Sequence, residues 1–334
     1  RFKYDGKTIF RNLNAEDWDE VLFEAGYPVG VVRYIDKSIP VEITLHAYSP
    51  FIPLDENDSG LPATILSFTL KNNGSTSVKT SISGWLENKT GIYSSRKIKG
   101  YFGSLINRHS NKIVKQKDWI AVDESLVIMY DNKADEIKKQ PDYGTMCIAA
   151  LDPSAQASPD IYPDNLVRLF SHTPEETKEK PVQEELIGSV RTDFDIAPGS
   201  IVSSHFIISW YFPNLKIDES IKDSGRYYQN RFTSAFDVAQ YIQKHFKQLS
   251  TQTLLWASTW QDSTLPHWFL ERTFINIDTL ATTNCHRFSS GRFWAWEGVG
   301  ACGGTCTHVW QYAQAMGRIF PALERDCREI GRAH

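Results

Sequence analysis

Residues 296–310, WEGVGACGGTCTHVW, set one carboxylate, four glycines, two cysteines and a histidine between two tryptophans. Three chemistries compete for this stretch. Cys302, Cys306 and His308 are close enough in sequence to share a metal ion, and Cys285 could join them. Structural zinc sites anchor one tight pair of ligands with a second pair elsewhere. Here the inner spacing is C-x3-C with one nearby histidine and no second pair, so packed or free thiols explain the residues more simply. A redox pair needs Cys-x-x-Cys beside a parallel sheet unit, and the sequence has neither. The third candidate is Glu297, in a stretch with no Lys or Arg from 293 to 317. Carboxylates facing an anomeric carbon are what glycoside hydrolysis requires. An exposed loop glutamate would look the same, and spacing alone does not choose. Asp262, in STWQDSTLP, is a possible second acid, but a helix cap explains it more cheaply. His267 and His286 have no partner visible in the sequence and read as structural.

Composition narrows the field around these residues. The chain has 334 residues and a formal net charge of −4, which leaves no basic footprint for nucleic acid. No run approaches the roughly 18 apolar residues that cross a bilayer. Ten Trp, 14 Tyr and 18 Phe are present, and Trp256, Trp260, Trp268, Trp294, Trp296 and Trp310 fall late in the chain. Indole faces stack on sugar rings, which favours carbohydrate, although core packing explains any single Trp as well. Five cysteines, unevenly spaced, do not make a disulfide framework. Asn-x-Ser/Thr matches at Asn57, Asn73 and Asn88 do not fix a compartment. The chain starts at Arg1 and ends within a helical pattern, ERDCREIGRAH, so it reads as part of a longer protein.

The elements that must position the candidates fall into two regimes. VEITLHA alternates Val41, Ile43 and Leu45 against polar neighbours, and TILSFTL puts Leu66, Phe68 and Leu70 on one face. Asn73-Gly74 then reads as a hairpin turn, with SVKTSISGWLE as the returning strand and Val78 and Ile82 on the same parity. SLVIMY and SIVSSHFIISWYF are further strands, the second after a Pro198-Gly199 turn. The pattern predicts a two-layer antiparallel sandwich. SHTPEETKEKPVQEE reads as a charged, solvated loop.

Helical spacing begins after about residue 225. Phe236, Ala239, Ile242, Phe246 and Leu249 recur at three and four, with Ser234 and Asp237 at capping-box spacing. A second helix starts at Asp262 or Ser263, with Pro266 in its first turn and Leu270, Phe274, Ile277 and Ala281 as its stripe. A third begins near His308, with Val309, Tyr312, Ala313, Met316 and Phe320 on one face. The expected division is a β domain over 1–215, a linker over 216–230 and a helical domain opening at 231–334.

Three passages resemble glycoside hydrolase family 116, the group of non-lysosomal glucosylceramidases and prokaryotic β-glucosidases and β-xylosidases. They are AYSPFIPLDENDSGLPATILSFTLKNNG, TLLWASTWQDSTLPHWFLERTFINIDTLAT and GRFWAWEGVGACGGTCTHVWQYAQAMGRIFPALERDCRE. The resemblance implies an N-terminal β-sandwich followed by the first helices of an (α/α)6 barrel, here truncated. It implies retaining hydrolysis of terminal β-linked sugars with no cofactor and no metal, on an oligosaccharide, aryl glycoside or glycolipid. Glu297 falls at the family's nucleophile. His308 falls where eukaryotic members carry an Asp that helps hold sugar hydroxyls, and Trp296 adjoins the same pocket. The family's acid/base Asp falls beyond residue 334, so this chain alone is expected to be inactive. The reading from another class is a non-catalytic carbohydrate-binding or scaffolding sandwich, and a third is a zinc-stabilised structural protein.

Overall fold

The computed structural model describes residues 1–95, 107–129, 134–164, 175–217, 221–273, 275–296, 298, 300 and 316–332. Among these residues, fourteen strands form two antiparallel sheets packed face to face. The smaller sheet holds β1 (Phe2–Tyr4), β2 (Lys7–Ile9), β7 (Val78–Glu87), β11 (Gln156–Ser158) and β13 (Ile187–Ile196), in the order β11-β13-β7-β1-β2. The larger holds β3 (Glu20–Glu24), β4 (Val29–Ile35), β5 (Val41–Tyr48), β6 (Ala63–Asn72), β8 (Arg108–Lys115), β9 (Ile120–Val127), β10 (Thr145–Ala150), β12 (Thr177–Pro181) and β14 (Ile201–Tyr211). Its order is β12-β8-β9-β10-β14-β6-β5-β4-β3. Single-turn helices α1 (Ile92–Ser95) and α2 (Ala134–Lys138) interrupt the strands. The alternating apolar residues face the space between the sheets. Val41, Ile43, Phe68, Leu70, Val78 and Ile82 are buried there, with Leu45 and Leu66 packed against them.

A third layer changes the expected two-layer arrangement. Helix α3 (Ala235–Gln261) lies on the other face of the large sheet, so its central strands are buried on both sides. In β6 the even positions Phe68 and Leu70 serve the inter-sheet core, while Ala63 and Ile65 meet the helix. In β14, Phe206 and Ile207 divide the same way. The start of α3 is pinned by polar contacts. Ser234 Oγ accepts from the Asp237 N–H at 3.1 Å, and Thr145 Oγ1 accepts from the Ala235 N–H at 2.7 Å. The Asp237 carboxylate accepts from the Thr233 N–H at 3.0 Å, so the predicted cap is present with its acid reaching back one residue further than in a standard box.

Four local expectations are corrected. Asn73-Gly74 does not close a hairpin, because β6 pairs with β5 and β14 while β7 pairs with β13 and β1. The chain crosses from one sheet to the other there, and both strands still face one core. The Asn72 side chain drives the crossing: its Oδ1 accepts from Gly74 N–H at 2.9 Å, and its amide donates to the Thr76 and Ile196 carbonyls, each at 2.8 Å. The stretch read as a solvated loop contains β12, paired with β8. Its lysines and glutamates suit an exposed edge, where charge deters further pairing. The strand read at SLVIMY begins earlier, at Ile120, and ends at Val127. The helix expected from Asp262 divides into α4 (His267–Thr273) and a 3-10 turn, Ile275–Ala281. Asp262 closes α3 as its C-cap, and Ser263 Oγ accepts from Leu265 N–H at 3.2 Å. Of the predicted stripe, Leu270 and Ile277 are buried.

The β1 strand covers only the beginning of β7, through Phe2 with Thr80 and Lys3 with Lys79, plus backbone bonds between Arg1 and Ser81. Beyond Ser81 no described strand pairs with that side of β7, and a cleft of about 390 Å³ runs along it. Between the two sheets a carboxyl is sealed inside. Glu124 has no exposed surface and lies against Gly188, where an added Cβ would come within 2.9 Å of its Oε1. Burial first, then the charges of Asp123 and Glu87, push its pKa well up, and only the Gly188 N–H works the other way. The carboxyl is therefore held neutral.

Candidate functional site

The segment carrying the sequence candidates follows a small hairpin, β15 (Cys285–Arg287) and β16 (Phe293–Ala295), paired Cys285 to Ala295 and His286 to Trp294. Phe288 and Gly291 make the turn, the glycine at φ 92°, where a side chain is disfavoured. Asp223 holds it from outside, accepting from Ser290 Oγ at 2.6 Å and pairing with Arg292 at 3.0 Å. The Ser290 hydrogen bond is the largest influence on the Asp223 carboxyl, and with Arg292 it lowers the pKa despite burial. Phe288, Trp294, Trp296 and Leu215 form an apolar cluster beneath the hairpin.

Trp296 directly follows β16. Its N–H donates to the Asn284 carbonyl at 2.9 Å, and its ring meets His286 edge-on at 5.6 Å and Trp294 at 6.4 Å. Only 8% of Trp296 is exposed. Glu297 follows directly but lies outside the described residues, as do Cys302, Cys306 and His308. Gly300 is described and sits at φ 73°, a conformation that explains one glycine of this stretch. Met316 and Phe320, from the third predicted stripe, are buried with Phe51, Ile277, Phe293, Ala295 and Ile319. Helix α5 (Pro321–Arg332) follows, and its Leu323 joins this cluster.

The sandwich reaches into this region through the loop from Phe51 to Gly60. Phe51 packs edge-on against Phe320 at 5.5 Å and tilted against Trp256 at 6.0 Å. Leu54 adopts φ 71°, unusual for a branched side chain, and its N–H donates to the Ile319 carbonyl at 2.7 Å. Past Leu54 the loop borders a cavity of about 170 Å³, facing Arg226, Tyr227 and the hairpin residues Cys285, His286 and Arg287. Arg231 pairs with Asp58 at 2.9 Å, while Arg287 pairs with Asp326 at 3.2 Å and stacks on the Tyr227 ring at 3.5 Å. Burial, and then the Arg226 charge, lower the pKa of His286 and keep its imidazole neutral. Burial raises the Cys285 thiol to about 12, which leaves it protonated. Among the described residues no group of three His, Cys, Asp or Glu is arranged to hold a metal ion.

The cavity brings together Glu56, Arg226 and His286, which the sequence reading did not connect. They are separated by 170 residues between Glu56 and Arg226 and 60 between Arg226 and His286, so no local spacing could reveal them. The structure does bring His286 and Trp296 into contact, which the sequence reading had left apart.

A sandwich of this topology, backed by a helix and followed by an aromatic hairpin, defines a β-rich fold. Residues 4–249 match the family described as beta-glucosidase 2, glycosyl-hydrolase family 116 N-term. The chain belongs to that glycosyl-hydrolase family. The match runs into α3, beyond the strands. No curated protein sequence matches the chain. Among solved structures it is similar to a putative kojibiose phosphorylase from the human microbiome, at 10% identity and TM-score 0.34, over 77% of this chain and 27% of that one. It is also similar to a polysaccharide lyase, at 11% identity and TM-score 0.28, over 55% of this chain and 22% of that one. A heparan sulfate lyase mutant from Pedobacter heparinus gives 8% identity and TM-score 0.27, over 59% and 22%. The chain thus spans about a quarter of the length of these proteins, and the likenesses do not bear on its activity.

Proposed function

We propose that this chain is the N-terminal part of a retaining β-glycosidase in which Glu297 is the nucleophile. The observation that carries the reading is the family match over residues 4–249, joined to an aromatic hairpin that leads straight into Glu297. In this reading residues 1–215 are the sandwich, 216–230 a linker and 231–334 the opening of an (α/α)6 barrel. Glu297 attacks the anomeric carbon and forms a glycosyl-enzyme, which water then hydrolyses. Splitting the displacement in two retains the anomeric configuration. Trp296 stiffens the wall beside the nucleophile, and His308 hydrogen-bonds sugar hydroxyls. Retention needs a second carboxyl about 5 to 5.5 Å from the first, and the resemblance to the family puts that acid/base Asp beyond residue 334. The substrate is a terminal β-linked glucose or xylose on an oligosaccharide, aryl or lipid aglycone.

The test uses the full-length enzyme. Incubation with a 2-deoxy-2-fluoro β-glucoside, digestion and mass spectrometry should place the label on Glu297. Glu297→Gln keeps the shape and removes the nucleophile, so turnover of an aryl β-glucoside should fall by at least about a thousandfold with the fold intact, whereas the 334-residue chain should show no turnover. A label elsewhere, or a Gln variant with normal turnover, ends the assignment.

A further inference from the structure

The cavity between the Phe51–Gly60 loop and the hairpin has the chemistry of a binding site, and its charges indicate which kind. Arg231 and Arg287 are each neutralised by a carboxylate, Asp58 and Asp326. Two opposite charges on the lining remain without an ion pair between them, Glu56 and Arg226. The Arg226 Nε–H is bound to the Phe212 carbonyl at 3.0 Å, which fixes the guanidinium in place. The Arg287 Nε is buried with no hydrogen-bond partner. The neutral His286 ring already donates to the Thr283 carbonyl, so its other nitrogen is an acceptor. One cavity therefore presents acceptors in Glu56 and His286 and cationic donors, with near-zero net charge. An anion would be repelled by Glu56, and an apolar group would strand all of these polar atoms. Hydroxyl groups, which donate and accept, satisfy both sets at once. The Tyr227 ring also lines the cavity, with Arg287 stacked on one of its faces.

We propose that this cavity binds a neutral sugar ring, as a subsite for a second monosaccharide of the glycan. The inference deepens the reading above: it rests on the glycosidase assignment and selects an oligosaccharide over a lipid or aryl aglycone. The position fits, since His286 lines the cavity and also touches Trp296, the residue before Glu297. The strained Leu54 backbone beside Ile319 keeps the loop bearing Glu56 against the hairpin side of the molecule.

The experiment is calorimetric titration of the 334-residue chain with cellobiose, repeated with methyl β-glucuronide. Cellobiose should bind saturably. Glu56→Gln and Arg226→Ala, checked for folding by circular dichroism, should each weaken binding by about tenfold, the equivalent of one charge-assisted hydrogen bond. A second readout needs no substitution. His286 lines the cavity and its neutral imidazole is nucleophilic, so saturating cellobiose should slow its acylation by diethyl pyrocarbonate, followed by peptide mass spectrometry. Tighter binding of the glucuronide, affinity indifferent to both substitutions, or an unchanged His286 acylation rate would overturn the proposal. Labelling of Glu297 in the full-length enzyme is scored separately. An empty cavity beside a labelled Glu297 removes the subsite alone, and sugar binding beside an unlabelled Glu297 removes only the nucleophile.

Discussion

Two glutamates show how place decides what a carboxyl does. Glu297 follows a hairpin rich in aromatic residues and lies in a run, 293 to 317, with no Lys or Arg. Glu124 is sealed between two sheets, beside Asp123 and Glu87, with Asn111 as its cross-strand neighbour and His109 on the same strand as Asn111. The two have different consequences for pH. Folding raises the Glu124 pKa above its ordinary 4.5. Between that value and the folded one, the native state keeps a proton that the unfolded chain has released. The stability from this group is therefore complete below about pH 4.5 and declines as pH rises. Glu124→Gln should melt a few degrees higher than the unsubstituted chain at pH 7 and by a smaller margin at pH 4. Thermal melts at both values decide it, and a margin independent of pH would show that the carboxyl is not held protonated.

At the scale of elements, α3 is where the sequence is most legible. Its start is set by Ser234, its stripe by Ile242 and Leu249, and both were readable because a helix repeats every few residues. Ser234→Ala should cost about 1 kcal/mol, seen as a lower urea midpoint with an unchanged slope. No change would mean that Thr145 and Asp237 suffice to hold the helix start. Asn73-Gly74 shows the limit of such reading. The turn signal is real, but which sheet receives the next strand depends on Asn72 bonding to Ile196, 124 residues away. Periodicity gave Val78 and Ile82 the right face and could not give them the right sheet. The same reason hid β12, whose charges are those of a loop until β8 is placed beside it. The candidate site divides likewise. Glu297 and Trp296 came from a contiguous motif, whereas Glu56, Arg226 and His286 meet only through tertiary packing.

The whole molecule is a stack: small sheet, large sheet, helix. Two clusters anchor its middle layer, one through Phe68, Leu70 and Phe206, the other through Ile65, Ile207 and Ile242. The loop from Phe51 ties that stack to the hairpin and α5 region. On the outer side Leu255 and Trp268 stand 62% and 67% exposed, a surface suited to cover by further helices of the proposed barrel. The partial cover of β7 has a consequence that can be timed with heavy water. Residues 65–71 of β6 and 206–209 of β14 are paired on both sides and the central ones lie under two layers, so deuterium should enter there only when the entire stack opens. On β7, the amides of Ser83 and Trp85 share the Ser81 side of the strand and face a cleft instead of a neighbour. They should label orders of magnitude sooner, within the same strand whose opposite side is locked to β13 from Val78 to Glu87. Equal labelling of fragments spanning 63–72 and 82–87 would mean that the edge is protected in solution.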